Sequence, residues 1–77
     1  MNDRITIDPA VCHGKPVIRG SRTPVGVVLD HLAGGDSFAT LRREYDLTDA
    51  DIRAAIAFAS GELARLTFLP TVRRKGV

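Results

Sequence analysis

The stretch that decides the fold is SFATLRREYDLTDADIRAAIAFASGELARL, residues 37–66. Its apolar residues recur at three- and four-residue intervals, which is the spacing of one face of an α-helix. Ser37 and Thr48 each stand directly before such a run, where a hydroxyl side chain caps the first turn of a helix. Asp51 follows Thr48 by three residues, as in a capping box. The stretch therefore predicts a short helix, a three-residue turn and a longer helix.

The residues before this stretch predict one more helix and a small β element. Thr23 suits the N-cap of a helix and Pro24 its first position, and an apolar stripe at helical spacing follows. Two β-branched segments, residues 5–7 and 17–18, predict two short strands joined by a loop. The expected elements are the β element at 5–18 and helices at about 24–33, 38–45 and 49–66. The predicted fold is mainly α, with a three-helix, helix-turn-helix core and a two-strand β element.

Length and composition limit the class of protein. The chain has 77 residues, of which 44% are hydrophobic, and this is typical of one small globular domain. We expect residues 1–66 to form that domain and residues 67–77 a basic tail. The core is thin and lacks tryptophan, which favours a homodimer or a partner complex. The longest apolar run, Ala54 to Ala59, predicts no membrane span, and the lone Cys12 favours a reducing, cytoplasmic location.

The positive charge is unevenly distributed along the chain. Residues 71–77 contain three bases and no acid, whereas residues 1–70 contain eight bases and nine acids. The body is therefore not basic overall, and nucleic-acid binding would depend on local patches. Two patches stand out, a glycine-rich loop before the first helix and the helix-turn-helix itself. The candidate DNA-binding residues in them are Lys15, Arg19, Arg22, Arg42, Arg43 and Arg53.

Each of these patches has a second interpretation. The loop cations could hold phosphates or the carboxylates of a protein partner, or one arginine could pair with Asp8 or Asp30. The start of the candidate recognition helix carries Asp49 and Asp51, which oppose a polyanion unless they only cap the helix. The same scaffold could therefore serve dimer or partner contacts instead of DNA.

Cysteine and histidine residues are the remaining candidates for chemistry. Cys12 and His13 are adjacent, but a closed zinc site needs four ligands and the chain has one cysteine. Adjacent side chains also rarely point together as a nucleophile and its base. We expect Cys12 to fill apolar space, His13 to occupy a turn and His31 to lie on the solvent side of its helix. The sequence predicts no enzyme, no catalytic residue, no metal site and no cofactor.

Several motifs together resemble a known family. They are ITIDP (residues 5–9), GKPVIRGSRTPV (14–25), LAGG (32–35) and YDLT (45–48). In this order they resemble the bacterial family catalogued as "domain of unknown function 433", whose members are regarded as antitoxins. The likeness extends over residues 4–66 and implies a homeodomain-like helical domain.

The resemblance also implies partners. An antitoxin of this kind would bind a small PIN-like ribonuclease toxin and hold it inactive, and would repress its own operon by binding operator DNA. Apolar anchors followed by arginines would contact the toxin, the arginines meeting carboxylates around the nuclease's metal. The predicted toxin-binding residues are Leu66, Phe68, Leu69, Arg73 and Arg74. The alternative function is a small dimeric DNA-binding transcriptional regulator without a toxin partner.

Overall fold

Three helices pack around a small core, and two short strands precede them in the sequence. The computed structural model describes residues 3–66. Its elements are β1 (Ile5–Thr6), β2 (Val17–Ile18), α1 (Val25–Ala33), α2 (Phe38–Tyr45) and α3 (Asp49–Leu66). The predicted fold, mainly helical with an N-terminal two-strand element, is confirmed. Among the residues described, no helix is both long and apolar enough to cross a membrane.

The two strands form a minimal antiparallel sheet. Ile5 is paired with Ile18, and Thr6 with Val17. The predicted first strand extends to Ile7, but β1 ends at Thr6. The chain turns immediately afterwards, and the side chain of Ile7 is 58% exposed. Ile7 therefore leaves the core face that it would share with Ile5 in a longer strand.

The first helix begins one residue later than predicted. Pro24 stands at the N-cap in an extended conformation (φ −61°, ψ 139°) and forms a β-bridge with Val17. Thr23, predicted as the cap, is buried, and its hydroxyl accepts a hydrogen bond of 3.0 Å from Ser21. The prediction for Thr23 is wrong because the bridge to β2 holds Pro24 extended, so that helical geometry starts only at Val25.

The other two helix starts are capped as predicted. The Ser37 hydroxyl accepts from the Thr40 N–H at 3.2 Å. The Thr48 hydroxyl accepts from the Asp51 N–H, and the Asp51 carboxylate accepts from the Thr48 N–H, both at 3.0 Å. This reciprocal pair is a capping box. Asp46, in the left-handed region at φ 57°, ends α2 and directs the chain into α3.

The core covers only part of α3. The largest fully buried side chains come from β2 and from each of the three helices: Val17, Ile18, Val28, Leu41 and Ile52. Phe38 and Tyr45 pack partly buried against them, which confirms the apolar face predicted for α2. With 18 residues α3 is about 27 Å long, whereas α1 has 9 residues and α2 has 8. The end of α3 therefore extends beyond the helices that pack against its start.

Candidate functional site

The apolar stripe of α3 is buried at the start of the helix and exposed at its end. Ile52 and Ala55 are fully buried. On the same stripe, Ile56 is 40%, Leu63 60% and Leu66 72% exposed. We call these three residues the distal stripe. Exposed apolar side chains that lie together on a helix are typical of a surface that contacts another protein.

A shallow groove runs along another side of α3. Its floor is made of small residues, Ala54, Ala57 and Gly61, and the exposed Ile7 forms one edge. Because successive residues rotate by about 100° around a helix, Gly61 and Leu63 point about 160° apart. We call this surface the α3 groove. The charged side chains that border it are Asp3, Arg4, Arg53, Glu62 and Arg65.

The acids at the start of α3 are paired with arginines. Arg42 donates to Asp49, and Arg4 donates to Asp51 at 2.9 Å. Burial raises the pKa of Asp51, but hydrogen bonds from Thr48 and Arg4 outweigh it and hold that pKa below its ordinary value. Asp51 therefore caps α3, and both acids form ion pairs. As a result, Arg42, one of the candidate DNA-binding residues, is held by a carboxylate.

Arg43 and Arg53 are the other candidate DNA-binding residues on α2 and α3. The Arg43 Nε lies 3.9 Å from the Glu44 carboxylate, at the outer limit of an ion pair. Arg53 is exposed, borders the α3 groove and forms no ion pair within residues 3–66. Carboxylates therefore offset part of the positive charge of the arginines on α2 and α3, and less of that charge is available to a polyanion.

The loop cations lie around β2 and remain exposed. In the part of the chain that the structure describes, Lys15, Arg19 and Arg22 form no ion pair, so the pairing with Asp8 or Asp30 that the sequence allowed is not observed. Arg22 adopts a left-handed conformation at φ 56°, which is uncommon for a residue with a side chain. These three cations are available to an anionic partner.

His31 has a setting that the sequence analysis missed. It was expected on the solvent side of α1, but its side chain is only 29% exposed. Its Nδ1 lies 2.6 Å from an Asp36 carboxylate oxygen, and its Nε2 lies 2.8 Å from the Tyr45 hydroxyl. The two rings meet edge to face. The network ties α1 to α2, and no local motif identifies it because Tyr45 is 14 residues away in sequence.

Cys12 and His13 lie in the short 3-10 helix Cys12–Gly14 between the strands. Both adopt left-handed conformations, at φ 50° and 58°. His13 is an exposed turn residue, as predicted, and Cys12 is half-buried. Within residues 3–66, no group of three or more His, Cys, Asp and Glu side chains is placed to hold a metal ion.

The family described as "Protein of unknown function (DUF433)" matches residues 5–59, well over half of the chain. The chain belongs to this family. It is similar to a crystal structure, at 2.00 Å resolution, of a DUF433 member protein from Anabaena variabilis ATCC 29413, with a TM-score of 0.71 and 28% sequence identity. The likeness covers 83% of this chain and 64% of that one, so the chain spans less than two thirds of that protein's length. Comparison with curated proteins gives no match.

The DUF433 match ends within α3, between the first and the second residue of the distal stripe. It contains the β element, α1, α2 and the start of α3, including the exposed Ile56, and it ends at residue 59. Leu63 and Leu66 lie beyond it. Of the predicted toxin-binding residues, Leu66 is exposed, and the others lie outside the described residues: Phe68, Leu69, Arg73 and Arg74.

Proposed function

We propose that the chain is the antitoxin of a toxin–antitoxin pair, a cytoplasmic protein that binds and occludes a small PIN-like ribonuclease. The observation that carries this proposal is the distal stripe. Leu63 and Leu66 are exposed on a helix whose first half is anchored in the core. Burying a leucine side chain fully is worth about 1.5–3 kcal/mol, so a partner that covers both gains substantial binding free energy.

The positive charge of residues 67–77, which come after α3 in the sequence, supports a nuclease as the partner. Phe68 and Leu69 continue the apolar character of α3 past Leu66, and Arg73 and Arg74 follow them. A PIN-like nuclease gathers carboxylates around a divalent metal. Arginine forms bidentate, charge-assisted hydrogen bonds with carboxylates, so Arg73 and Arg74 are suited to occupy such a site. Apolar anchoring by α3 and carboxylate contact by the arginines would together block RNA.

The loop cations favour a second role in DNA binding. Lys15, Arg19 and Arg22 are exposed and have no carboxylate partner within residues 3–66. In an antitoxin, they would hold operator phosphates while the chain represses its own operon. They would serve equally in the alternative, a small DNA-binding regulator without a toxin. A phosphate-held complex weakens steeply with salt, which makes this role measurable.

Two matched double substitutions separate the two roles. Leu63→Ser/Leu66→Ser removes apolar surface from the distal stripe, and Lys15→Ser/Arg22→Ser removes charge from the loop. Each full-length variant is tagged and expressed in the native cell. Co-purified proteins are identified by mass spectrometry, and their Mg²⁺-dependent RNA cleavage is measured with and without added wild-type chain.

The wild type is expected to bring down one stoichiometric nuclease whose cleavage of RNA it inhibits. The Leu63→Ser/Leu66→Ser variant should lose this nuclease, whereas the Lys15→Ser/Arg22→Ser variant should keep it and lose any salt-sensitive DNA binding. If no nuclease is recovered and only DNA binding remains, the antitoxin proposal fails and the regulator without a toxin is the correct function.

A further inference from the structure

We infer that a cleft beside the turn at residues 19–22 is a binding site for a single phosphate group, which Arg19 and Arg22 hold together. The inference rests on the DNA-binding role proposed above and states how that role is carried out. Thr6 and Asp8 line the cleft from the side of β1, and Arg19, Gly20 and Arg22 line it from the side of the turn. We call this surface the turn cleft.

The turn that carries the two arginines is held by backbone hydrogen bonds. The Ile18 N–H donates to the Thr23 carbonyl, and the Arg22 N–H donates to the Ile18 carbonyl, both at 2.8 Å. The Arg19 N–H donates to the Arg4 carbonyl, also at 2.8 Å, which ties the other side of the turn to the chain before β1. The backbone of both arginines is therefore fixed before a ligand arrives, and this lowers the entropic cost of binding.

The charges of the turn cleft match those of one phosphodiester. Arg19 and Arg22 are exposed and form no ion pair within residues 3–66. Asp8 lines the same cleft, but one of its carboxylate oxygens accepts from the Ala10 N–H at 2.9 Å, and it pairs with neither arginine. Two arginines and one aspartate give the cleft a formal charge of +1, which the single negative charge of a phosphodiester neutralises. Arginine can also hold a phosphate by two parallel hydrogen bonds, so the ligand would be oriented as well as attracted.

The backbone conformation of Arg22 also points to a ligand. Its φ of 56° lies in the left-handed region, which glycine adopts freely and asparagine more readily than other residues with a side chain. Strained conformations of this kind cluster at ligand sites. An arginine at a position that glycine would occupy without strain indicates that the guanidinium group is used.

Lys15 provides a comparison within the same loop. It is exposed, like the two arginines, but it does not line the turn cleft. It therefore attracts DNA only as a point charge, whereas an arginine in the cleft forms a directed, bidentate contact. Exchange of lysine and arginine should consequently matter at Arg19 and not at Lys15.

This exchange tests the bidentate contact, because Arg19→Lys and Lys15→Arg both keep the net charge of the chain. Binding of the full chain to a labelled duplex of the DNA directly upstream of its own gene is measured by fluorescence anisotropy at several salt concentrations. Arg19→Lys should raise the Kd by about tenfold and leave the slope of log affinity against log salt unchanged, since no charge is lost. Lys15→Arg should change neither quantity.

Arg22→Asn tests whether the strained residue serves binding or folding. Asparagine tolerates the left-handed conformation better, so the Tm should rise by about 2–4 °C. The Kd for the same duplex should rise by about tenfold, and the salt slope should fall by about 0.9, the value of one phosphate contact. Lys15→Asn is the matched control at φ −76°, and it removes the same charge without raising the Tm. A lower Tm for Arg22→Asn would show that Arg22 is required by the fold, and would overturn its assignment to the phosphate.

Dimethyl phosphate, a phosphodiester without sugar or base, probes the turn cleft directly. Added to the full-length chain and followed by nuclear magnetic resonance, it should shift the Nε–H signals of Arg19 and Arg22 saturably. The signals of Arg43 and Arg53, which are exposed and lie outside the cleft, should stay unchanged. Sodium chloride at the same ionic strength should shift neither pair. Equal shifts at all four arginines would overturn the inference.

The two probes distinguish a failure of this inference from a failure of the proposed DNA-binding role. If the duplex binds and Arg19→Lys behaves like Lys15→Arg, the inference is wrong and the DNA-binding role stands. If dimethyl phosphate binds at Arg19 and Arg22 but the duplex does not, the phosphate site stands, its ligand is a small phosphorylated molecule, and the DNA-binding role is wrong. If neither probe binds, both are wrong. The nuclease partner is tested separately, through the distal stripe.

Discussion

The two halves of α3 look alike in sequence and differ in what surrounds them. In the first half, Ile52 and Ala55 are fully buried and Asp51 closes a capping box. In the second half, Leu63 and Leu66 continue the same stripe but remain exposed. One periodic pattern thus contributes to the core at one end of the helix, and at the other end it leaves an exposed apolar surface. The DUF433 match stops at residue 59, before Leu63 and Leu66.

The two halves of α3 differ in burial because the neighbouring helices are shorter than α3. The stripe needs neighbouring elements to cover it, and α1 and α2 are each half as long as α3 or shorter. Hydrophobic periodicity reports which side of a helix is apolar, and it contains no information about how far the neighbours extend. A long stripe beside short helices is therefore a signal of an uncovered surface.

The largest expected contrast between the halves is in core packing. Ile52→Ala should lower the free energy of unfolding by about 2–5 kcal/mol, because it leaves a cavity among fully buried side chains. Leu63→Ala, of similar size in the exposed half, should lower it by less than about 0.5 kcal/mol. Urea unfolding followed by circular dichroism measures both. Equal losses would mean that the end of α3 is packed as tightly as its start.

Replacing a hydroxyl residue by alanine should change the stability of the chain in opposite directions in the two halves of α3. Thr48→Ala removes the cap of α3 and should cost about 0.5–2 kcal/mol of stability. Ser60→Ala lies in the exposed half, where alanine is simply the better helix former, and should add up to about 0.5 kcal/mol. Thermal unfolding of the two variants against the wild type gives the comparison. A loss at both positions would contradict it.

The smallest expected effect is the pH dependence contributed by Asp51. Its pKa is lower in the folded chain, so the unfolded chain takes up the proton first on acidification. Its contribution is fully present above the ordinary aspartate pKa of about 3.9 and is lost as the pH falls through the folded-state pKa.

Asp51→Asn lacks this contribution at every pH. At pH 7 its free energy of unfolding should be lower than that of the wild type, and the loss of the ion pair should account for no more than about 1 kcal/mol of this difference. The difference in free energy of unfolding should become smaller toward pH 3. Urea unfolding at several pH values tests the sign. A gap that widens in acid would show that the pKa of Asp51 is raised in the folded chain.

Local signals predicted most of the fold. The hydroxyl caps at Ser37 and Thr48 and the apolar spacing of α2 and α3 placed both helices, because these interactions join residues within one or two turns. Thr23 failed as a cap because its neighbour Pro24 pairs with the distant Val17. A contact of that kind has no local signature.

The candidate site was predictable only in part. The sequence indicated that Asp49 and Asp51 cap α3, but not that Arg42 and Arg4 reach them, the latter from 47 residues away. The His31 network with Asp36 and Tyr45 was missed for the same reason. The α3 groove likewise depends on Ile7, whose exposure follows from where β1 ends.

By itself, the sequence determined the three helices, their order, two of their caps and the apolar side of each. These depend on near neighbours in the chain, so the residue pattern contains the necessary information. Only the tertiary structure decided how much of the α3 stripe is buried, which arginines are paired and which surfaces stay open. Those outcomes depend on the relative lengths and positions of elements far apart in sequence, and burial and ion pairing are set by that arrangement.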